Sequence, residues 1–443
     1  MRDMTLPHPV ADALEKLESA GYEAWVVGGS VRDFLRGHEP SDFDITTSAL
    51  PEETMRVFSS KRVIETGIKH GTVTVISDGM PLEITTFRSD GEYTDGRHPT
   101  SVSFTRSLAD DLSRRDFTVN AIAYSPKRGY TDLFGGFSDI ENKIIRAVGD
   151  PCVRFSEDAL RILRAIRFSS SLGFSVDGET KKAIFEKKEL LRLISAERIR
   201  EEMTRLIMGK NCVSVIREYI EVIGVFIPEL LPTVGFDQRN PHHLYDVFEH
   251  SLHALSATDY DEALRYAALL HDIGKVSCFF TDENGTGHFY GHEKVSAEMA
   301  DGILLRLKFD NKTRGRIVNL IKYHDIRTEP SAKSVRRRIA NYGYDGFLDL
   351  LKLKRADAIG QGTDKDDRIA LYAELEKIAR ELNDKDDCPS LKTLAVNGND
   401  LKALGLCGKE IGHALNRALN AVIDERLPNE REAIINYIEG ENL

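Results

Sequence analysis

No uninterrupted apolar run in the chain approaches the ~18–20 residues that cross a bilayer. The opening stretch MRDMTLPHPVADALEKL is amphipathic and of mixed charge, without the apolar core of a signal peptide. A cytosolic protein with no membrane partner is therefore expected. Cysteine is sparse: Cys152, Cys212, Cys278, Cys388 and Cys407 lie far apart, are odd in number and form no C-x-x-C pair. Neither a disulfide framework nor a zinc ribbon is indicated, and the thiols are expected to be reduced. A basic excess is missing too. The formal charge of −11 and pI of about 5.7 argue against indiscriminate phosphate binding, while leaving room for a local basic groove. Internal repeats and low-complexity tracts are absent.

What is present is a change of period. Residues 8–20 read as an amphipathic helix, EAWVVGG as a strand entering a glycine turn, and SVRDFLRG as a helix capped by Ser30 and closed by Gly37. PEETMRVFSS starts another helix on Pro51. GTVTVISDGMPLEITTFR alternates about a DG pair, the pattern of a β-hairpin. Residues 89–101 are polar and turn-rich and are expected to form a mobile loop. From about residue 156 onward the apolar period is 3.6, with loops expected near 170–176, 232–243, 281–291, 357–367 and 383–398. The chain is expected to be an N-terminal α+β domain followed by a long all-helical body.

The segment SDFDI places Asp42 and Asp44 two apart. In a strand both would leave the same face and repel each other, with Phe43 turned to the core. A divalent cation removes that repulsion, and carboxylate oxygens suit magnesium; a solvated turn is the alternative. The preceding VVGGSVRDFLRG weighs toward the metal. A strand, the glycines Gly28 and Gly29 and a helix start let backbone approach a phosphate, and Arg32 is placed to add a fixed cation. Together they describe a two-metal phosphoryl-transfer site. Glu83, in PLEITTFR, is the candidate third carboxylate if its strand runs beside the aspartate strand; a solvent-facing strand residue is the other reading.

In order along the chain, GGSVRDFLRG, SDFDI, RRDFTVNAIAY (114–124), DLFGGFSDIENKIIRAVGDP (132–151), EDALRILRAIRF (157–168) and ERIREE (197–202) resemble the motifs of the class II tRNA nucleotidyltransferases, the CCA-adding enzymes and their bacterial poly(A) polymerase relatives. The likeness covers the first half strongly and the remainder loosely. It implies a polymerase-beta-like head with a mixed sheet (1–148), a helical neck (149–215), a helical body (216–365) and a tRNA-binding helical tail (366–443). It further implies Mg2+ on Asp42 and Asp44, and Gly29, Arg32 and Arg115 near an incoming triphosphate. Asp116 and Asn120 become candidates for holding nucleotide sugar and phosphate.

Asp158 and Arg161, three apart on an expected helix, would set an acceptor beside a fork of donors. Cytosine and adenine each carry an amino donor next to a ring-nitrogen acceptor, and guanine and uracil carry the opposite order. The pair therefore suits CTP and ATP, the role that the family gives this motif, and an intrahelical ion pair is the alternative. Arg164 and Arg167 continue the face toward phosphates or toward ERIREE. The loop at 89–101 lies where the family carries a flexible element associated with the switch from C to A addition.

A second ordered set, FEHSLHAL, LLHDIGK, GHEKVS, YHD and KRADA, brings His250, His271, Asp272, His292, His324 and Asp357 into view. It resembles the HD phosphohydrolases, with Lys275 able to assist a phosphate. Imidazole with carboxylate suits a transition metal; a retained structural module is the alternative. The resemblance implies addition of C, C and A to the acceptor end of tRNA from CTP and ATP, recognised by shape and backbone. An A-adding enzyme or poly(A) polymerase, and an HD phosphohydrolase acting on nucleotide or RNA ends, are the alternatives.

Overall fold

A computed structural model describes residues 3–65, 67–90, 102–363 and 365–440. The chain divides into two compact units, Met1–Ile227 and Pro228–Leu443. The architecture is the expected α+β class, with a sheet-bearing N-terminal part and a helical remainder.

The first unit is built on a mixed seven-stranded sheet of β1 (Ala24–Val27), β2 (Asp44–Thr47), β3 (Arg62–Ile64), β4 (Thr72–Ser77), β5 (Met80–Thr86), β6 (Ile122–Ser125) and β7 (Gly129–Asp132), in the order β3-β4-β5-β2-β1-β6-β7. The run AWVV makes β1 a central strand, buried at all four positions. Helix α1 (His8–Ser19) presents Val10, Ala13, Leu14 and Leu17 to the core, at the spacing of a single helical face. The expected hairpin is present. β4 and β5 pair antiparallel with Ser77 opposite Met80, and Asp78 and Gly79 both take positive φ (52° and 82°), as a two-residue turn between twisted strands requires. A short antiparallel ribbon, Arg88–Asp90 with Val102–Phe104, follows. The loop expected over 89–101 lies, from residue 91 on, outside the described residues.

Two local expectations are corrected. Helix α2 (Gly29–Leu35) starts from Gly28, whose φ of 78° and ψ of −134° suit glycine; Ser30 lies inside the helix and donates to the Val27 carbonyl at 3.2 Å. The aspartate strand begins only at Asp44, so Asp42 stands just ahead of it. C-terminal to the sheet, α3 (Pro151–Glu157), α4 (Leu160–Leu172) and α5 (Ala196–Ile207) close the unit.

The second unit is helical apart from a small hairpin. Its core helix α7 (Glu262–Leu270) is buried from Ala263 through Leu270 and starts on Asp261, whose side chain accepts from the Leu264 N–H. Around it stand α6 (Val247–Ser256), α8 (His292–Arg306), α9 (Asn311–Tyr323) and α10 (Tyr344–Gln361). α10 runs through residues 357–361, where a loop was expected. It lies so close to α6 that a Cβ on Gly360 would sit 2.9 Å from the Ala254 nitrogen. That approach sets Asp357, one turn earlier, against His250.

Candidate active site and a second metal-ligand cluster

The sheet register assembles the acidic part of the first site. β1 and β2 run antiparallel with Val27 opposite Asp44, so the end of β1 delivers the Gly28 turn beside that aspartate. β2 and β5 run parallel with Asp44 opposite Glu83, which puts both carboxylates on one face of the sheet. Asp42, Asp44 and Glu83 are all exposed, whereas Phe43 is buried as expected. The Asp44 carboxyl is pushed above its ordinary value, first by the protein packed around it. Arg115 opposes that shift and the negative charge of Asp42 adds to it. Three oxygen donors, one of them costly to ionise beside its neighbour, fit a hard divalent cation.

Gly28 is where the backbone must come close. A Cβ there would lie 3.4 Å from Arg115 Nη1 and 3.6 Å from Asp44 Oδ2. Arg115 is held from behind by Asp111, whose Oδ2 accepts from Nη2 at 3.2 Å, and its Nε is buried without a partner. Asp111 is fully buried. Burial raises its pKa, but the charges of Arg115 and Arg114 outweigh that and hold it low. It also accepts from the Thr46 hydroxyl at 3.1 Å.

Arg32, expected as a fixed cation, is indeed held in place by partners of its own. It is buried, pairs with Asp33 at 2.8 Å and donates to Asn120 Oδ1 at 2.7 Å. Asn120 donates in turn to Asp116 Oδ1 at 3.0 Å, and Arg164 grips Asp116 Oδ2 through Nε and Nη2 at 2.8 and 2.6 Å. Glu202 ends the chain, 2.9 Å from Arg167 Nε and 3.8 Å from Arg164. The residues read separately as Arg32, Asp116, Asn120, Arg164 and Arg167 thus form one continuous network. Burial works against the Asp116 carboxylate, but the Arg164 charge and the bonds from Asn120 and Arg164 take its pKa down to about 2.

The expected helical pairing of Asp158 with Arg161 is not formed. Asp158 breaks the helix: it is extended (φ −137°, ψ 102°) between α3 and α4, and its Oδ1 accepts from the Leu160 N–H at 3.1 Å. Its carboxylate pairs with Arg198 of α5 at 3.0 Å. Arg161 instead pairs with Glu157 at 2.7 Å and donates to the Arg114 carbonyl at 2.9 Å. Arg198, Glu157, Asp111 and Glu202 were not foreseen as site residues. Arg198 and Glu202 do lie within ERIREE, and Asp111 stands three and four residues ahead of Arg114 and Arg115.

In the second unit all six residues of the second set converge. His250 Nε2 lies 3.1 Å from His271 Nε2, 3.2 Å from Asp272 Oδ2 and 3.0 Å from Asp357 Oδ1. His292 Nε2 lies 3.3 Å from Asp272 Oδ1 and 3.3 Å from His324 Nε2. Three of the imidazoles donate Nδ1–H to backbone carbonyls: His271 to Ala268 at 2.8 Å, His292 to Phe289 at 2.9 Å and His324 to Ile321 at 2.7 Å. That choice of tautomer turns the Nε2 lone pairs inward, as in the outer shell of a metal centre. Both Asp272 oxygens are buried without a well-formed hydrogen bond, although Lys275 Nζ is 2.7 Å from Oδ2. Facing lone pairs and an orphaned buried carboxylate fit a metal ion. The donors form two groups that share Asp272, one with His250 and His271 and the other with His292 and His324.

Comparison with known proteins places the chain in a family. Residues 24–146 match the Poly A polymerase head domain, residues 173–230 the probable RNA- and SrmB-binding site of polymerase A, and residues 289–438 a tRNA nucleotidyltransferase domain 2 (putative). The CCA-adding enzyme of Lactobacillus helveticus is 34% identical over 96% of this chain and 95% of its own. This chain belongs to the CCA-adding enzyme family. The CCA-adding enzyme of Streptococcus suis is 34% identical over 99% of both chains. The crystal structure of the Bacillus stearothermophilus CCA-adding enzyme in complex with CTP superposes with a TM-score of 0.73 at 30% identity, covering 99% of this chain and 98% of that one. No helix among the described residues is long and apolar enough to cross a membrane.

Proposed function

We propose that the protein adds C, C and A in succession to the 3′ end of tRNA, from CTP and ATP, without a nucleic-acid template and with release of pyrophosphate in the cytoplasm. The observation that carries this reading is the placement of Asp44 opposite Glu83 and beside the Gly28 turn, with Arg115 close to that turn and to Asp44, in a chain of this family. Asp42 and Asp44, with Glu83 as third carboxylate, would hold Mg2+. When bound, such ions stabilise the leaving phosphate oxygens and make the attacking hydroxyl more acidic.

The chain's own residues do the rest by positioning and charge. The Gly28–Gly29 turn admits the triphosphate backbone-close, and Arg115, braced by Asp111, offsets its charge. Arg32, Asn120, Asp116 and Arg164 form a rigid wall that fixes where the nucleotide sits. Asp158 supplies an acceptor and Arg161 donors for the pairing edges of cytosine and adenine; turning to a base costs each its present partner, Arg198 or Glu157, and guanine and uracil do not replace those bonds. The tail, residues 366–443, holds the tRNA.

Primer extension tests the reading, with tRNA ending at the discriminator base, at C or at CC, and with CTP and ATP singly and together. Growth that stops at CCA is the expected result. An untemplated A tail, or addition of A alone to the CC end, overturns it in favour of the sister activities.

The convergence of His250, His271, Asp272, His292, His324 and Asp357 favours a second reading beside the first. The second unit holds a transition metal and hydrolyses phosphoesters at nucleotide or RNA ends. Metal analysis of the purified protein and of Asp272→Ala, alongside phosphoester hydrolysis, tests it; equal metal content in the two proteins overturns it.

A further inference from the structure

The hairpin that leads into the metal-ligand cluster carries more aromatic surface than it needs. Strands β8 (Phe280–Thr281) and β9 (Gly287–His288) pair antiparallel with Phe280 opposite His288, and these two rings stack at 5.4 Å and 30°. A cross-strand pair of that kind is ordinary hairpin stabilisation. Tyr290 is not part of the ladder. Its ring nevertheless lies 5.5 Å from His288, tilted by 21°, and 5.6 Å from Phe280. The three rings form a cluster in which Phe280 is 46% and Tyr290 76% exposed. His288 is fixed in place by Asp282, 2.9 Å from its Nε2.

The position of this cluster gives it meaning. Tyr290 is two residues from His292, so their Cα atoms are at most about 8 Å apart. The residue between the exposed rings, Phe289, turns inward. Its carbonyl orients the His292 imidazole at 2.9 Å, and its ring lies 5.3 Å from Lys275 Nζ, the cation beside Asp272. The backbone of the neighbouring loop is tied to the hairpin, with Gly287 N–H donating to the Arg239 carbonyl at 2.8 Å and Asn240 to the Gly287 carbonyl at 3.1 Å. An exposed aromatic cluster thus stands on the segment that leads into a centre whose donors and lysine suit a phosphate group. A ligand matching both halves carries a flat, π-rich group on a phosphate.

We propose that Phe280, His288 and Tyr290 form a base-stacking platform, which makes the substrate of the second centre a nucleotide, free or at a single-stranded RNA end, and not a phosphoester lacking a base. The proposal rests on the reading of that centre as a metal site. Stacking is tolerant of which base is bound, because each base offers a π face. The platform therefore selects for a base and not among bases.

The test is equilibrium binding to the full chain in Mn2+, titrating AMP and ribose 5-phosphate, which share the phosphate and differ in the base. The head's nucleotide site contributes equally to every protein compared, because all substitutions lie in the other unit. Tyr290→Ala and Phe280→Ala are each expected to weaken AMP by about 5- to 150-fold, the factor corresponding to ~1–3 kcal/mol per stacked base, while ribose 5-phosphate changes less than about twofold. Tyr290→Phe is expected to retain AMP binding. Asp272→Ala is expected to weaken both ligands. AMP binding unmoved by both alanine variants overturns the platform, and so does an equal loss of the two ligands. Unchanged ribose 5-phosphate binding in Asp272→Ala overturns the metal-site reading itself, and the platform's role falls with it. A single-stranded CCA trinucleotide that loses more affinity than AMP in Tyr290→Ala identifies an RNA end as the source of the base; a smaller loss identifies the free nucleotide.

Discussion

The two sites solve opposite problems with overlapping residue types. In the first unit the metal-ligand candidates are three exposed carboxylates, Asp44 and Glu83 on neighbouring strands and Asp42 just ahead of one, with Arg115 close by and itself tied to the buried Asp111. In the second unit the candidates are four histidines and two aspartates drawn from separate helices and turned inward, with five of the six buried. An open, oxygen-only site suits a weakly held hard ion that arrives with a bulky phosphorylated substrate. A closed site of imidazoles, three of the four oriented by a backbone carbonyl, suits a resident ion of a softer kind. Exposure and donor atom thus separate a site open to a bulky substrate from one suited to retaining a metal.

That contrast is sharpened most by removing one acid from each site. Asp44→Ala or Asp42→Ala is expected to abolish nucleotide addition, by about 10³-fold or more, while the metal content of the second unit stays unchanged; single-turnover extension and elemental analysis read the two. Asp272→Ala is expected to do the reverse, losing bound metal with extension within about twofold of the parent. A folded single variant that lost both functions would break the comparison. Chelation separates the sites without mutation: brief dialysis against EDTA should leave extension restorable by Mg2+ alone, while phosphoester hydrolysis should need a transition metal added back.

A smaller effect is expected from the network behind the first site. Asp116 has its carboxyl lowered from 3.8 to about 2, so it contributes about 2 kcal/mol of stability. Because the folded value is the lower one, that contribution is fully present above about pH 4 and is lost as pH falls through about 2. Asp116→Asn should therefore lower stability at pH 7 by about 2 kcal/mol and flatten the acid limb of a pH-stability curve measured by denaturant titration. The smallest change is expected at the base-selecting residues. Asp158→Ala or Arg161→Ala should relax the choice of C and A over G and U more than it weakens triphosphate binding. Arg198→Met, which frees Asp158 to turn, should relax it by about 10-fold, in line with the ~1.5–3 kcal/mol of a hydrogen bond to a charged group. Misincorporation assays with each nucleotide alone measure both.

The fold was legible where local physics dominates. AWVV and the DG hairpin announce β1, β4 and β5, and the 3.6-residue period announces the helical second half. Phe43, between the two aspartates, was correctly assigned to the core. The details that failed are ones that local spacing does not control. Asp158 and Arg161 are three residues apart, but Asp158 stops one helix and caps the next, so spacing on an ideal helix misplaced it. The bond from Arg32 to Asn120 was not foreseen, because the two lie 88 residues apart.

By itself the sequence determined residue types and their order: which carboxylates stand two apart, which glycine tolerates positive φ, which histidines exist to be gathered. Tertiary structure alone decided partnership. Asp44 meets Glu83 through a parallel strand pairing, Asp158 meets Arg198 of α5, and the metal-type ligands between residues 250 and 324 meet in two groups that share Asp272, with Asp357 set against His250. The reason is range: propensity and periodicity act over a few residues, whereas electrostatic pairing and metal-ligand geometry act across whatever the packed core brings together.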